Sequence, residues 1–278
     1  MTAIALATAC AVVYGAADFC GGLASRRSQV YAVVVLSQVA GLLFVAGLMP
    51  FLPGTFGWSA IGWGMLAGIG GGGGLILFYR ALATGTMSVV APVSATVAAG
   101  LPVLFGLAAG ERPGLGALAG VALAIVAVLL VSRTREQRPA SGGLGPLTAA
   151  VISGAGFGGF FILLSNAPDD AGLWPLAGAR FASITLVIAI ALAAGRTLRP
   201  AAGSLRAILL AGVLDMGANV LYLLAVQRGL LSLVAVIVSL YPASTLLLAR
   251  QVLGERLTGI QITGVGLALG AVALIAAS

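Results

Sequence analysis

The sequence predicts an all-α integral membrane protein of ten transmembrane helices arranged as two inverted five-helix repeats. Three observations lead there. The 278 residues are 60% hydrophobic and only 8% charged, which leaves too little polar surface to cover a water-soluble globule of that size. Apolar stretches of about 20 residues, the length that crosses about 30 Å of hydrocarbon, recur from end to end. The two halves of the chain also resemble each other under a shift of about 144 residues.

Breaking the chain at charges, prolines and polar clusters places the spans at roughly 2–23, 30–49, 59–83, 86–109, 114–132, 145–165, 173–194, 204–227, 229–250 and 258–277. The first has no basic residue before it and runs through Asp18 to Arg26 and Arg27, so it reads as a span and not as a cleaved signal. Its Cys10 and Cys20 lie about 15 Å apart along a helix, too far to bridge, and read as small packing residues.

The third span contains "GIGGGGGLILFYR" at 68–80, in which Gly68, Gly70 and Gly73 satisfy the spacing of a dinucleotide-binding turn. That turn needs a preceding strand and an acid about twenty residues on. Here the glycines sit inside an apolar stretch and the next acid is Glu111, so a nucleotide is not expected. Gly64, Gly68 and Gly72 instead repeat every four residues, a stripe that lets a neighbouring helix come close. The run Gly70, Gly71, Gly72, Gly73, Gly74 weakens a helix by about 1 kcal/mol per residue, so a locally unwound hinge is expected there. In the fourth span Pro92 and Pro102, and in the ninth Pro242, each free a backbone carbonyl and can kink the helix. The eighth span, "AGVLDMGANVLYLL", puts Asp215 where the third has Gly71, with Asn219 and Tyr222 following on the same helical face.

The duplication is visible residue by residue. "RALATGTMSVVAP" from Arg80 lies over "LAVQRGLLSLVAV" from Leu224, putting Gly85 on Gly229 and Ser88 on Ser232. "AAGERPGLGALAG" lies over "VLGERLTGIQITG", putting Glu111 and Arg112 on Glu255 and Arg256, and Gly120 on Gly264. "VYGAADF" matches "GFGGFFI" with Gly15 on Gly158. The domains are therefore a first repeat at 1–132, a connecting loop at 133–144 that takes in nearly all of the polar "SRTREQRPASGG", and a second repeat at 145–278. Five spans per copy make the second copy enter the membrane upside down, a recurring plan in secondary transporters.

The net charge of +7 comes from 14 arginines, with neither lysine nor histidine. They are scattered at span ends, which argues against nucleic acid and for topology signals. Connections one, five, seven and nine hold Arg26, Arg27, Arg133, Arg135, Arg138, Arg196, Arg199, Arg206, Arg250 and Arg256, against Arg112 and Arg228 in the alternate ones. The bias makes the odd connections cytoplasmic and both termini external.

Asp18, Arg80, Arg180 and Asp215 fall inside spans, where an unpaired charge costs about 2.5 to 3.5 kcal/mol on insertion scales. Relative depth pairs Asp18 with Arg80 and Arg180 with Asp215, either as structural bridges or as transport groups. A carboxylate in a span is a natural proton carrier, so Asp18 or Asp215 could couple solute movement to protons. Tyr14, Tyr79, Phe157, Phe161 and Tyr222, with Ser94 and Ser239, are candidates for a cavity wall. Glu111 with Arg112 and Glu255 with Arg256 mark span ends, or alternatively gates. Asp169 and Asp170 lack the second acidic cluster that a metal-dependent membrane enzyme needs, so no metal and no cofactor are expected.

Ten spans in two halves, the repeated "GERPGLGALAG" and "GERLTGIQITG", and "YGAADFCGGLASRR" at the front together resemble the EamA branch of the drug/metabolite transporter superfamily. The resemblance implies a multi-pass inner-membrane carrier that exports a small organic metabolite or drug-like solute by alternating access. It implies cytoplasmic termini, the reverse of what the arginines say. The duplication lets one chain form a complete carrier, so a monomer in the lipid bilayer suffices. The rivals are a membrane-embedded enzyme acting on a lipid-linked substrate, and a non-transporting membrane subunit. No nucleophile with a base stands out to carry the former.

Overall fold

The computed structural model describes residues 2–84, 87–131, 145–253 and 258–277, and the described residues are helices and short connections. The helices are α1 (Thr2–Ser25), α2 (Val30–Leu48), α3 (Trp58–Thr84), α4 (Met87–Ala108), α5 (Leu115–Val131), α6 (Pro146–Ser165), α7 (Trp174–Ala193), α8 (Leu205–Val226), α9 (Leu231–Val238), α10 (Tyr241–Leu253) and α11 (Gly259–Ala276). Among the described residues seven segments are long and apolar enough to cross a membrane, α9 and α10 counting as one, and three shorter apolar helices accompany them. Helices suit this composition because each satisfies its own backbone hydrogen bonds, which lipid cannot do. Leu104, Leu115, Leu192 and Leu269 stand exposed on outer faces, as lipid contact requires.

Boundaries follow local chemistry. Thr258 and Gln261 close a reciprocal capping box at the start of α11. Pro146 opens α6, where a missing N–H costs nothing. The ninth span is broken: α9 ends before Ser239 and α10 restarts at Tyr241, with Pro242 in its first turn. α4 in contrast runs unbroken through Pro92 and Pro102. Gly110, at φ +96°, ends α4 by turning the chain so that the Glu111 N–H reaches the Gly106 carbonyl at 2.9 Å.

The five glycines do not unwind α3. The helix is continuous from Trp58 to Thr84, because its bare faces are wedged between two neighbours. Gly64, Gly68 and Gly72 lie against Pro175, Ala179 and Ser183 of α7, so the two helices run parallel in four-residue steps. Gly70 and Gly74 lie against Gly156 and Ser153 of α6, in antiparallel order, and Gly71 faces the Phe160 ring. A Cβ at Gly64 or Gly68 would collide with the α7 backbone, and at Gly70 or Gly74 it would press on that of α6; Gly73 alone of the five meets nothing.

Several helix pairings come in twos. α3 packs on α6 and α7, while α8 packs on α1 and α2. α4 packs on α6, and α10 on α1. Gly158 of α6 abuts Ala98 and Leu101 of α4, and Gly15 of α1 abuts Tyr241 and Ser244 of α10. α5 and α11 pair with each other, Gly120 lying under Ile275.

Connections from the two halves are tied as well. Between α2 and α3, the Thr55 hydroxyl donates to the Asp170 carboxylate at 2.6 Å, and Gly54 packs against Gly172, whose φ of +55° favours glycine. Between α1 and α2, the Ser28 hydroxyl meets that of Ser204 at 2.7 Å and accepts from the Ala201 N–H at 2.9 Å. After α4, the Glu111 carboxylate accepts from the Leu231 and Ser232 N–H groups at 2.8 and 3.1 Å and thereby caps α9. Glu255, its counterpart, lies outside the described residues, as do Gly85, Arg133, Arg135, Arg138 and Arg256.

Candidate functional site

A cavity lies where helices of both halves converge. α1 contributes Tyr14 and Asp18, α2 Gln38, and α3 Gly68, Gly71, Gly72 and Leu75. α4 contributes Ala98, and α6 Phe157, Phe160 and Phe161. α7 contributes Ala179, Arg180 and Ser183, α8 Asp215 and Asn219, and α10 Tyr241. The α3 glycines leave room that side chains would fill, while α7 and α8 supply polar groups.

Arg180 organises the polar side. It is 6% exposed, and one guanidinium nitrogen donates to Gln38 Oε1 while another donates to Asp215 Oδ2. The Ser183 hydroxyl is also within 3.2 Å of Gln38 Oε1. Asn219, one turn after Asp215, gives its amide N–H to the Asp215 carbonyl at 2.7 Å. Its Oδ1 is buried with no protein partner. Helix spacing explains the set: Arg180 and Ser183 stand three apart on α7, and Asp215 and Asn219 four apart on α8.

The aromatic side is a cluster of edge contacts. Tyr14 meets Phe161 with ring centroids at 6.3 Å and Tyr241 at 6.4 Å, and Phe160 meets Phe161 at 5.7 Å. Such tilted pairs hold one another in place and leave ring faces for an apolar guest.

Of the two ion pairs expected from depth, Arg180 with Asp215 is present and Asp18 with Arg80 is not. Arg80 is exposed one turn from the end of α3, where a long side chain can extend out of the bundle. Asp18 turns inward to the cavity and has no ion-pair partner among the described residues. Depth along a helix says nothing about the direction a residue faces around it.

Four wall candidates lie away from this cavity's lining. Tyr79 is 2% exposed and its ring fills the space beside Gly21 of α1. Tyr222 is fully buried, and its hydroxyl donates to the Phe161 carbonyl at 2.9 Å, tying α8 to α6. Ser94 hydrogen-bonds Ser153 at 3.0 Å between α4 and α6. Ser239 sits at the α9–α10 break and donates to the Val236 carbonyl at 2.7 Å. Asp170 is occupied by Thr55, so the one acidic pair of the connections serves to tie loops.

Gln38, Ser183, Phe160, Leu75 and Tyr241 were not anticipated. Gln38 alone had a signal, a side-chain amide inside an apolar span that must find a partner.

Residues 144–277 match the model of the EamA-like transporter family. No curated protein matches the chain. Among solved structures 21 chains match. One, described only as "Crystal structure of protein", superposes with a TM-score of 0.70 over 96% of this chain and 95% of its own, at 18% identity. The fold is therefore one already seen in another protein.

Proposed function

From the membership of residues 144–277 in the EamA-like transporter family, we propose that this multi-pass membrane protein is a secondary transporter of a small organic solute, working by alternating access as an exporter in the inner membrane. The first half is the inverted counterpart of the second, making ten spans with α9 and α10 as one. The observation that carries the reading is the central cavity, furnished from both halves and holding a largely buried ion pair beside a carboxylate that has no ionic partner among the described residues.

The paired contacts support the inversion. A shift of about 144 residues carries the α3–α7 contact onto α8–α2, where Gly212 lies against Ser37 as Gly68 lies against Ala179. The same shift carries Gly15 against α10 onto Gly158 against α4. It also exchanges the tie of Ser28 to Ser204 with that of Thr55 to Asp170. With alternating spans these two ties lie at opposite membrane faces, as a pseudo-twofold in the membrane plane requires. Asp18 and Asp215 are the groups through which protons would couple to the solute.

Purified protein in proteoliposomes tests the reading. Preloaded solute should drive saturable counterflow of labelled solute, and leakage no faster than from empty liposomes for every solute tried would overturn it. A membrane enzyme would instead convert its substrate without moving it.

A further inference from the structure

We propose that the solute is an organic monocation, an amine with an aromatic or apolar body, whose ammonium group is received by Asp18. The inference rests on the carrier reading above and specifies its substrate class.

The charged residues of the cavity lining are Asp18, Arg180 and Asp215. An arginine stays charged in proteins, and here its guanidinium is already committed to Asp215 and Gln38. Its one unpartnered nitrogen, Nε, stands beside Gly41 of α2. The Arg180–Asp215 pair is therefore electrically closed, and Asp18 is left without an ionic partner among the described residues. With Asp18 ionised the lining carries one negative charge in excess, in surroundings where charge is weakly screened, and an ammonium guest is what would balance it.

The unclaimed polar groups point the same way. Asn219 is 3% exposed, and its Oδ1, an acceptor, has no partner. Asp18 offers carboxylate oxygens, also acceptors. A guest with several N–H donors and a positive charge satisfies both. A carboxylate guest would meet no cation whose charge is left unbalanced, and a zwitterionic amino acid would have to compete with Asp215 for Arg180. Tyr14, one turn before Asp18, and Tyr241 present aromatic rings, which attract cations through their faces. Phe157, Phe160 and Leu75 suit an apolar body.

The test is thermal stabilisation of the purified full chain in detergent by four probes of one shape: 2-phenylethylamine, 2-phenylethanol, 3-phenylpropionate and phenylalanine. The amine should bind about tenfold or more tightly than the alcohol. Asp18→Asn should remove that preference while leaving the weaker alcohol response, which shows that the cavity survives. Should D18N fail to fold, the wild-type ranking decides alone. Equal or tighter binding of the alcohol, acid or amino acid, an amine preference retained in D18N, or no response to any probe overturns the assignment. None of these touches the carrier reading, which falls only if proteoliposomes show no saturable flux of any solute.

Discussion

Arg180 on α7 and Asp215 on α8, 35 residues apart in sequence, form a largely buried ion pair that Gln38 of α2 completes from the other half of the chain. Removing one partner leaves a charge with nothing to balance it. Asp215→Asn should destabilise the fold by about 3–5 kcal/mol, whereas the double replacement Arg180→Gln with Asp215→Asn should recover much of the loss. Denaturation of the detergent-solubilised variants measures both. A double variant no better than the single one contradicts the pairing.

The glycines of α3 divide into two kinds. Gly68 sits where an added methyl would strike the Ala179 backbone, while Gly73 has open space around it. Gly68→Ala should lower the melting temperature and separate α3 from α7. Gly73→Ala should be neutral or stabilising by up to about 1 kcal/mol, since alanine favours the helix. If the two variants melt alike, the close approach of α3 to α7 is not what fixes these residues.

Glu111 links the two halves by capping α9. Glu111→Ala should cost about 1–2 kcal/mol, because a charged cap and two buried N–H partners are lost together. Glu111→Gln should cost less. Hydrogen exchange at Leu231 and Ser232 should rise in the alanine variant, and unchanged exchange there would count against the cap.

Much of the fold could be read from the chain because lipid imposes one rule on every span, apolar length, and because a stripe of glycine every four residues has a single packing use. The Arg180–Asp215 pair was legible since two opposite charges must meet somewhere in an apolar bundle. The site was legible only in part. Whether Tyr14 or Tyr79 faces the cavity depends on helix rotation, set by which neighbours lie on either side, and those neighbours come from the other half of the chain. Tyr222 and Ser94 look like ligand groups in sequence, yet their hydroxyls are spent between helices. Gln38 escaped notice because it carries no charge.

The ties between connections give the topology a direct check. Ser28 and Thr55 lie in consecutive connections, so single cysteines placed there, with Cys10 and Cys20 replaced by alanine, should react with an impermeant thiol reagent from opposite sides of sealed vesicles. The arginine bias predicts Ser28 on the cytoplasmic side, and labelling at Ser28 from the opposite side would reverse that orientation. Labelling of both from one side contradicts the alternation of spans.

The central claim is that the cavity opens to each side of the membrane in turn. A cysteine in place of Phe157, a lining residue of α6, on the same cysteine-free background measures this most directly. Impermeant reagent should modify it from either face of sealed vesicles, with saturating solute shifting the balance between faces. Modification from one face alone, whatever solute is present, would contradict the account.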